Sequence, residues 1–360
     1  MTKAGLAASL LLAFVCGAAR AQDIAGVLSP NPKPLGMDRA LAPAATPCPD
    51  YKSPAIQEHI DKAYALIGRD LPSGLIPNLF LLPRRAGLCA PARVPVAKID
   101  ERVVKPTKLF DQLSYIGDAF VGVWVLKTSG GLILFDAMNN PADVDNIIEP
   151  GLTALGFNPA DIKYILLTHG HADHWGGGLT LQERYKAKLW VGDKDASLLE
   201  PRAGQALQPP KADKAVADGD TLTLGDTTVK LYVTSGHTPG SLSAIFPVTD
   251  NGVAHKVAVF GGYGLPIQLE PGPGQAGLLT YIKEAERFRG IGQREGVDVA
   301  LSTHPIFDDT VAKIAAVTRA KPTSSPWVLG REGWLRFTDA SLEVARTVEA
   351  MVREKRAAPK

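Results

Sequence analysis

Thr168-His169-Gly170-His171-Ala172-Asp173-His174-Trp175 places three of the chain's seven histidines within six residues. Imidazole and carboxylate groups packed this densely form the donor set of a metal site. His169 and His171 are two apart, so extended backbone turns both side chains to one side. Asp173 is two further on, and His174 follows on a turn into a helix. Gly170, Ala172 and Gly176-Gly177-Gly178 keep the loop free of bulk, so its backbone can lie close to an ion. One short loop thus offers ligands in two directions, as a pair of ions requires. The competing reading is a polar loop with surface histidines, and it would make this clustering an accident.

Two later histidines extend the set: His237 in Ser235-Gly236-His237-Thr238-Pro239-Gly240 and His304 in Ser302-Thr303-His304-Pro305. Each follows an apolar, β-branched run, and strand ends are where a rigid frame can bring side chains to a common point. Five histidines and one aspartate suit two zinc ions per chain, each keeping room for water. Two such ions about 3.5–4 Å apart lower the pKa of shared water enough for hydroxide to exist at neutral pH. Asp173 is then both a ligand and the candidate catalytic group that orients the nucleophile. Trp175 and Tyr263 are candidates for the substrate-pocket wall, with core packing the alternative role for Trp175. His59 and His255 lack the strand-end setting and read as ordinary surface or helix residues. Ser-x-x-Lys and Gly-x-Ser-x-Gly motifs are absent, so no side-chain nucleophile competes with water.

The beginning of the chain reads as an export signal. Lys3 precedes the apolar run Leu6–Val15, which is too short to span a bilayer, and Ala19-Arg20-Ala21 resembles a cleavage site. Cleavage after Ala21 and a periplasmic or secreted location are expected, with no membrane span in what remains. The leader takes Lys3 and Arg20 with it, leaving 37 basic against 37 acidic residues. That balance argues against a nucleic-acid partner, which calls for a basic surplus, and favours a small-molecule substrate. Export would leave Cys48 and Cys89 where pairing is permitted, and neither lies near the histidine motifs.

Residues 22–105 are expected to form an Ala- and Pro-rich lead-in and N-terminal extension, with a helix marked by Ile56, Ile60, Tyr64 and Ile67. The main domain is expected over 106–310. It opens with hairpin-linked strands at Leu113–Ile116, Phe120–Thr128 and Leu132–Phe135. A helix over Pro141–Leu155 follows, kinked or broken at Pro150 and ended by Gly156. Further strands are expected at Tyr164–Leu167, Lys188–Val191, Thr221–Leu224, Thr227–Val233, Ser241–Phe246, Lys256–Phe260 and Val297–Leu301. Helices are expected over Gly176–Tyr185 and Leu278–Phe288. Residues 311–360 should supply C-terminal helices that pack on the domain. Strands in two batches, each followed by helices, imply two packed sheets with helices outside.

His169-Gly170-His171-Ala172-Asp173-His174, then Gly236-His237-Thr238-Pro239-Gly240, then His304, resembles the metallo-β-lactamase superfamily over about residues 106–310. The resemblance implies an α/β (α+β) fold, the αβ/βα sandwich of two mixed β-sheets flanked by helices, with metals at one edge. It also implies that His169, His171 and His237 hold one zinc, and Asp173, His174 and His304 the other. Asp136 matches an acidic position of the family that orients a ligand histidine from behind. Many superfamily hydrolases, glyoxalase II and the lactonases among them, carry a bridging aspartate after the strand that is here Val257–Phe260. This chain reads Gly261-Gly262-Tyr263-Gly264 at that point, a departure that resembles the third subclass of metallo-β-lactamases. The serine or threonine residues with which that subclass grips the substrate carboxylate are absent.

An exported zinc hydrolase that opens a cyclic amide is therefore the leading expectation. A periplasmic hydrolase of lactones or other esters is the alternative, and a non-catalytic zinc-binding protein is the third reading.

Overall fold

The computed structural model describes residues 53–75, 103–201, 205–266, 277–319 and 324–357. The expected leader, the Ala- and Pro-rich lead-in and both Cys48 and Cys89 lie outside them. Among the described residues, twelve strands form two sheets. The first contains β1 (Val103–Lys108), β2 (Leu113–Asp118), β3 (Gly122–Thr128), β4 (Gly131–Phe135), β5 (Ile162–Leu166), β6 (Lys188–Gly192) and β7 (Lys214–Val216), side by side in chain order. The second contains β8 (Thr221–Leu224), β9 (Thr227–Val233), β10 (Leu242–Asp250), β11 (Val253–Val259) and β12 (Val299–Leu301), in the order β12-β11-β10-β9-β8. Each sheet is mixed. β1–β4 are antiparallel and β4–β7 parallel, whereas β8–β11 are antiparallel and β12 runs parallel to β11.

Strand alternation sorts the apolar side chains into three layers. Trp124, Phe135, Leu166, Leu231, Phe246, Val257 and Val299 fill the space between the sheets, where Phe135 and Phe246 stack with ring centroids 5.1 Å apart. The other face of the first sheet carries Val123, Val125, Leu134, Ile165 and Val191. It is covered by α2, a composite helix of an α-helical turn Pro141–Asp143, a π-helical turn Val144–Ile148 and an α-helical stretch Glu149–Ala154. α3 (Ala172–Trp175) and α4 (Gly178–Tyr185) complete that side. The outer face of the second sheet meets α1 (Pro54–Ile67), α5 (Leu278–Glu295) and α7 (Gly330–Ala357), while α6 (Thr310–Arg319) lies toward β1. The fold is thus the expected helix–sheet–sheet–helix sandwich.

Several boundaries differ from the sequence reading for identifiable reasons. Pro150 does not break α2. The preceding π-helical turn bonds Glu149 N–H to the Val144 carbonyl, so Pro150 enters the first turn of the following α-helical stretch, where its missing N–H costs little. β10 runs through Pro247 to Asp250 because its pairing with β9 ends at Ile245; beyond it β11 is the paired strand. β1 was not foreseen: it begins at Val103, before the expected domain start at Pro106, and an irregularity between Val104 and Thr107 accommodates the proline on this edge strand. β7 was not foreseen.

α1 is bound closely to α7. Ile56, Ile60, Ala63 and Ile67 are fully buried, with Ala63 taking the inward place expected of Tyr64. Arg336 of α7 caps α1 by donating to the Leu66 carbonyl at 3.1 Å, and it pairs with both Asp70 oxygens at 2.9 Å. Among the described residues no helix is long and apolar enough to cross a membrane.

Candidate metal centre

The six expected ligands follow the C-terminal ends of β5, β9 and β12, where the two sheets are joined. Leu242 N–H donates to the Thr168 carbonyl at 2.7 Å, linking the start of β10 to the histidine loop after β5. Asp136, just past β4 and in left-handed backbone with φ 67°, secures that loop from below. Its Oδ1 accepts from Thr168 N–H at 2.7 Å and its Oδ2 from Thr168 Oγ1 at 2.8 Å.

Two ligand trios result. In the first, His237 Nε2 lies 3.1 Å from both His169 Nε2 and His171 Nδ1. In the second, His174 Nε2 and His304 Nε2 are 3.1 Å apart, with Asp173 Oδ2 3.6 Å and 3.5 Å from them. Within each trio all donor atoms lie within 4.8 Å of one another. Nitrogens bound at about 2.0–2.1 Å to one tetrahedral ion sit about 3.3 Å apart, so these spacings fit a common cation.

Hydrogen bonds on the far sides of the rings strengthen that fit. His237 Nδ1 donates to the Gly264 carbonyl at 2.6 Å, His304 Nδ1 to the Phe120 carbonyl at 2.7 Å, and His174 Nδ1 to Asp136 Oδ2 at 2.6 Å. A carbonyl or ionised carboxylate only accepts, so the proton of each neutral ring resides on Nδ1 and Nε2 presents a lone pair. Thr168 Oγ1, its own proton given to Asp136, can accept from His169 Nδ1 at 3.1 Å. Lone pairs facing one another at 3.1 Å repel unless a cation lies among them. The donor set therefore fits two nitrogen- and oxygen-loving metal ions.

The electrostatics favour neutral imidazoles at four of the five histidines. Burial and then the neighbouring histidines hold His169 and His237 well below the usual imidazole range, and burial lowers His171 as well. Burial followed by the charge of His174 brings His304 down to about 4. His174 moves the other way: burial opposes its charge, yet Asp136 and Asp173 together raise it. Burial works against Asp173, but His174 and His304 bring its carboxyl down to about 2. Asp173 therefore stays ionised at neutral pH, where it accepts hydrogen bonds and has no proton to supply.

The remaining sequence candidates fall in different places. Trp175 is buried, and its Nε1 donates to the Gly170 carbonyl at 3.0 Å, so it braces the histidine loop from the core side. Tyr263 does not line the site. It is 4% exposed, with its ring against Phe260, Phe307 and Phe337 in the helix-facing core, because the chain leaves strand alternation after β11 and the Gly261-Gly262 turn swings the side chain to that face. His59 and His255 are half-buried, and each faces a carboxylate: Glu343 at 2.6 Å and Asp298 at 2.7 Å.

Sequence reading missed Asp195, which lies in the 3-10 helix Asp193–Leu199 after β6 and is fully buried. Its Oδ2 accepts from Gly170 N–H at 2.8 Å and Thr238 Oγ1 at 2.6 Å, and its Oδ1 accepts from Gly240 N–H at 2.6 Å. It also missed Phe120, whose ring lies 4.9 Å from that of His304. Neither residue belongs to a local motif. Their partners are 25 to 184 residues away, and most of the bonds are to backbone.

Comparison with known proteins agrees with this geometry. The sequence profile of the Metallo-beta-lactamase superfamily matches residues 116–250. The chain is 32% identical over 123 residues to a hydroxyacylglutathione hydrolase of Acidiphilium cryptum, a match spanning 34% of this chain and 43% of that relative. It is 31% identical to a UPF0173 metal-dependent hydrolase of Anaeromyxobacter dehalogenans, over 64% of this chain and 80% of the relative. The structure of a subclass B3 metallo-beta-lactamase of Bradyrhizobium japonicum superposes with a TM-score of 0.58 at 30% identity, covering 71% of this chain and 95% of that one. With sandwich, ligand trios and relatives in accord, the chain belongs to the metallo-β-lactamase superfamily.

Proposed function

We propose that the protein is an exported zinc-dependent hydrolase of the β-lactamase type, with a cyclic amide as substrate. The observation that carries this reading is the turn Gly261-Gly262-Tyr263-Gly264, which holds no acidic residue where glyoxalase II and the lactonases carry a bridging aspartate. The turn also packs tightly on the first trio: a Cβ on Gly262 would lie 2.7 Å from both Cβ and Cγ of His237. The likeness to the Bradyrhizobium japonicum subclass B3 enzyme supports the same assignment. The leader-like residues 1–21 support export.

His169, His171 and His237 would hold one zinc, and Asp173, His174 and His304 the other. Two bound zinc ions would supply Lewis acidity and water of lowered pKa. The chain's own groups fix where that chemistry occurs. Asp136 and the carbonyls of Phe120 and Gly264 set ring orientation and keep the inward nitrogens unprotonated. The ionised Asp173 carboxylate accepts a proton-mediated contact from attacking water and so orients it toward the amide carbon. Phe120, its ring tilted against that of His304, gives this side of the site an apolar wall.

Lactone or other ester hydrolysis is the second reading. It is favoured by the hydroxyacylglutathione hydrolase relative and by the absence of serine or threonine in Phe260–Pro266. Zinc-loaded protein should be offered a chromogenic cephalosporin, an acyl lactone and an aryl ester, each with and without chelator. Chelator-sensitive turnover of the cephalosporin alone is the expected result. Turnover of the lactone or ester alone would replace it with the second reading.

A further inference from the structure

The 3-10 helix Asp193–Leu199 is wedged between the two loops that carry the first ligand trio. A Cβ on Gly192 would meet the Gly240 carbonyl oxygen at 1.9 Å, one on Gly240 would meet Asp195 N at 2.4 Å, and one on Gly170 would meet Leu198 at 2.7 Å. Three glycines thus admit this backbone against both loops. At its centre one fully buried carboxylate collects three donors, one from the loop of His169 and His171 and two from the loop of His237. No cationic side chain accompanies it in these bonds. Its bonds to Gly170 on one side and to Thr238 and Gly240 on the other hold the two loops at a fixed separation, and His237 must reach across that separation to within 3.1 Å of His169 and His171.

We infer that Asp195 is a positioning residue for the first metal, setting the distance between the two loops from which that ion's ligands come. It touches neither ion nor substrate. A buried carboxylate with three donors is geometrically stiff, and charge-assisted bonds to backbone N–H resist stretching. Side chains that orient ligands in this indirect way influence metal affinity by about 10- to 100-fold. The inference rests on His169, His171 and His237 holding a metal.

Cobalt(II) titration of the metal-free full chain, in competition with a chromophoric chelator and followed through the visible absorption of the bound ion, tests it. Asp195→Asn should weaken the first cobalt site about 10- to 100-fold and alter its spectrum, while the second site keeps its affinity. Thr238→Val removes one of the three bonds and should give a smaller loss in the same direction, serving where Asp195→Asn folds poorly. Val229→Ala, a core substitution away from the site, should lower the melting temperature and leave cobalt affinity unchanged, separating position from general stability. Wild-type affinity and spectrum in both Asp195→Asn and Thr238→Val would overturn the inference alone. Failure of the wild-type chain to bind cobalt would overturn the metal reading and this inference with it.

Discussion

Asp136 Oδ2 lies 2.6 Å from Nδ1 of His174, and both side chains are sealed from solvent. The same carboxylate also holds the backbone and hydroxyl of Thr168. It therefore fixes the start of the histidine loop and a ligand at its far end together. Asp136→Asn should preserve shape but weaken the acceptor facing His174. Metal affinity of the second trio should fall about 10- to 100-fold, measured by chelator competition. Asp136→Ala leaves the Thr168 donors without a partner and should in addition cost about 1–3 kcal/mol of stability in denaturant unfolding. Unaltered metal affinity in both variants would show that Asp136 is purely structural.

The metal-free protein should lose stability as pH falls from about 6.5 to about 4. An unfolded chain binds the His304 proton near its ordinary 6.5, whereas burial and His174 delay uptake in the folded chain until about 4. Between those values the unfolded state holds more protons, so acidification favours it. His169, His237 and His171 are displaced downward mainly by burial and act with the same sign. His174 is raised, so its contribution is fully present below about 6.5 and is lost only as pH rises above that value, outside this window. Melting temperatures of chelated protein across this window should fall toward acid, with a shallower slope in His304→Asn. A flat profile would contradict the assignment of neutral, buried imidazoles.

His171 is the exposed member of the first trio, so its removal should separate function from folding. His171→Ala is expected to abolish zinc-dependent hydrolysis, while circular dichroism and the melting temperature of the metal-free chain stay close to wild type. Surface substitutions of this kind ordinarily change stability by less than about 0.5 kcal/mol. Full activity of the variant at trace metal would refute the ligand assignment.

What could be read from the chain in advance was the part with local signatures. The run His169 to His174, the glycines around it and the apolar strands leading to His237 and His304 are all contiguous patterns. Pro150, Pro106 and Pro247 misled because a proline's cost depends on whether its missing N–H faces a partner, which only the π-helical turn and the strand pairing decide. Tyr263 was misplaced because proximity in sequence to Gly262 and Gly264, both against His237, does not fix which way the intervening side chain turns. Asp195 was invisible because its partners, two backbone amides and the Thr238 hydroxyl, are brought close only by the fold.

Gly262 and Gly264 offer a graded test of how closely the turn after β11 fits the first trio. A methyl group at 262 would meet His237 Cβ and Cγ at 2.7 Å, whereas one at 264 would meet His237 Cε1 at 3.1 Å. Gly262→Ala should therefore displace His237 and cost about 1–3 kcal/mol through overpacking, with loss of first-site metal affinity. Gly264→Ala should do less on both counts. Gly262→Asp, which puts a carboxylate into this acid-free turn, should be the worst of the three and bring no gain in ester turnover. A functional, tightly metal-binding Gly262→Asp protein would show that the turn can open, and would overturn this reading of its fit.

Helix α1 lies outside the stretch expected to form the domain, yet it is fastened to α7 by an apolar seam and by Arg336, which joins the Leu66 carbonyl to Asp70. Ile60 sits in that seam with no exposed surface. If α1 is part of the cooperative fold, Ile60→Ala should lower unfolding stability by about 2–5 kcal/mol, the range for emptying a buried aliphatic site, with a single transition retained. Metal affinity of the folded variant should stay at the wild-type value, because α1 supplies no ligand. A loss below about 0.5 kcal/mol, or an early separate transition, would instead mean that α1 docks on a domain stable without it. Urea unfolding followed by fluorescence distinguishes these outcomes, since Trp334 of α7 is buried in the same cluster as Ile60 and should report any separate release of α1.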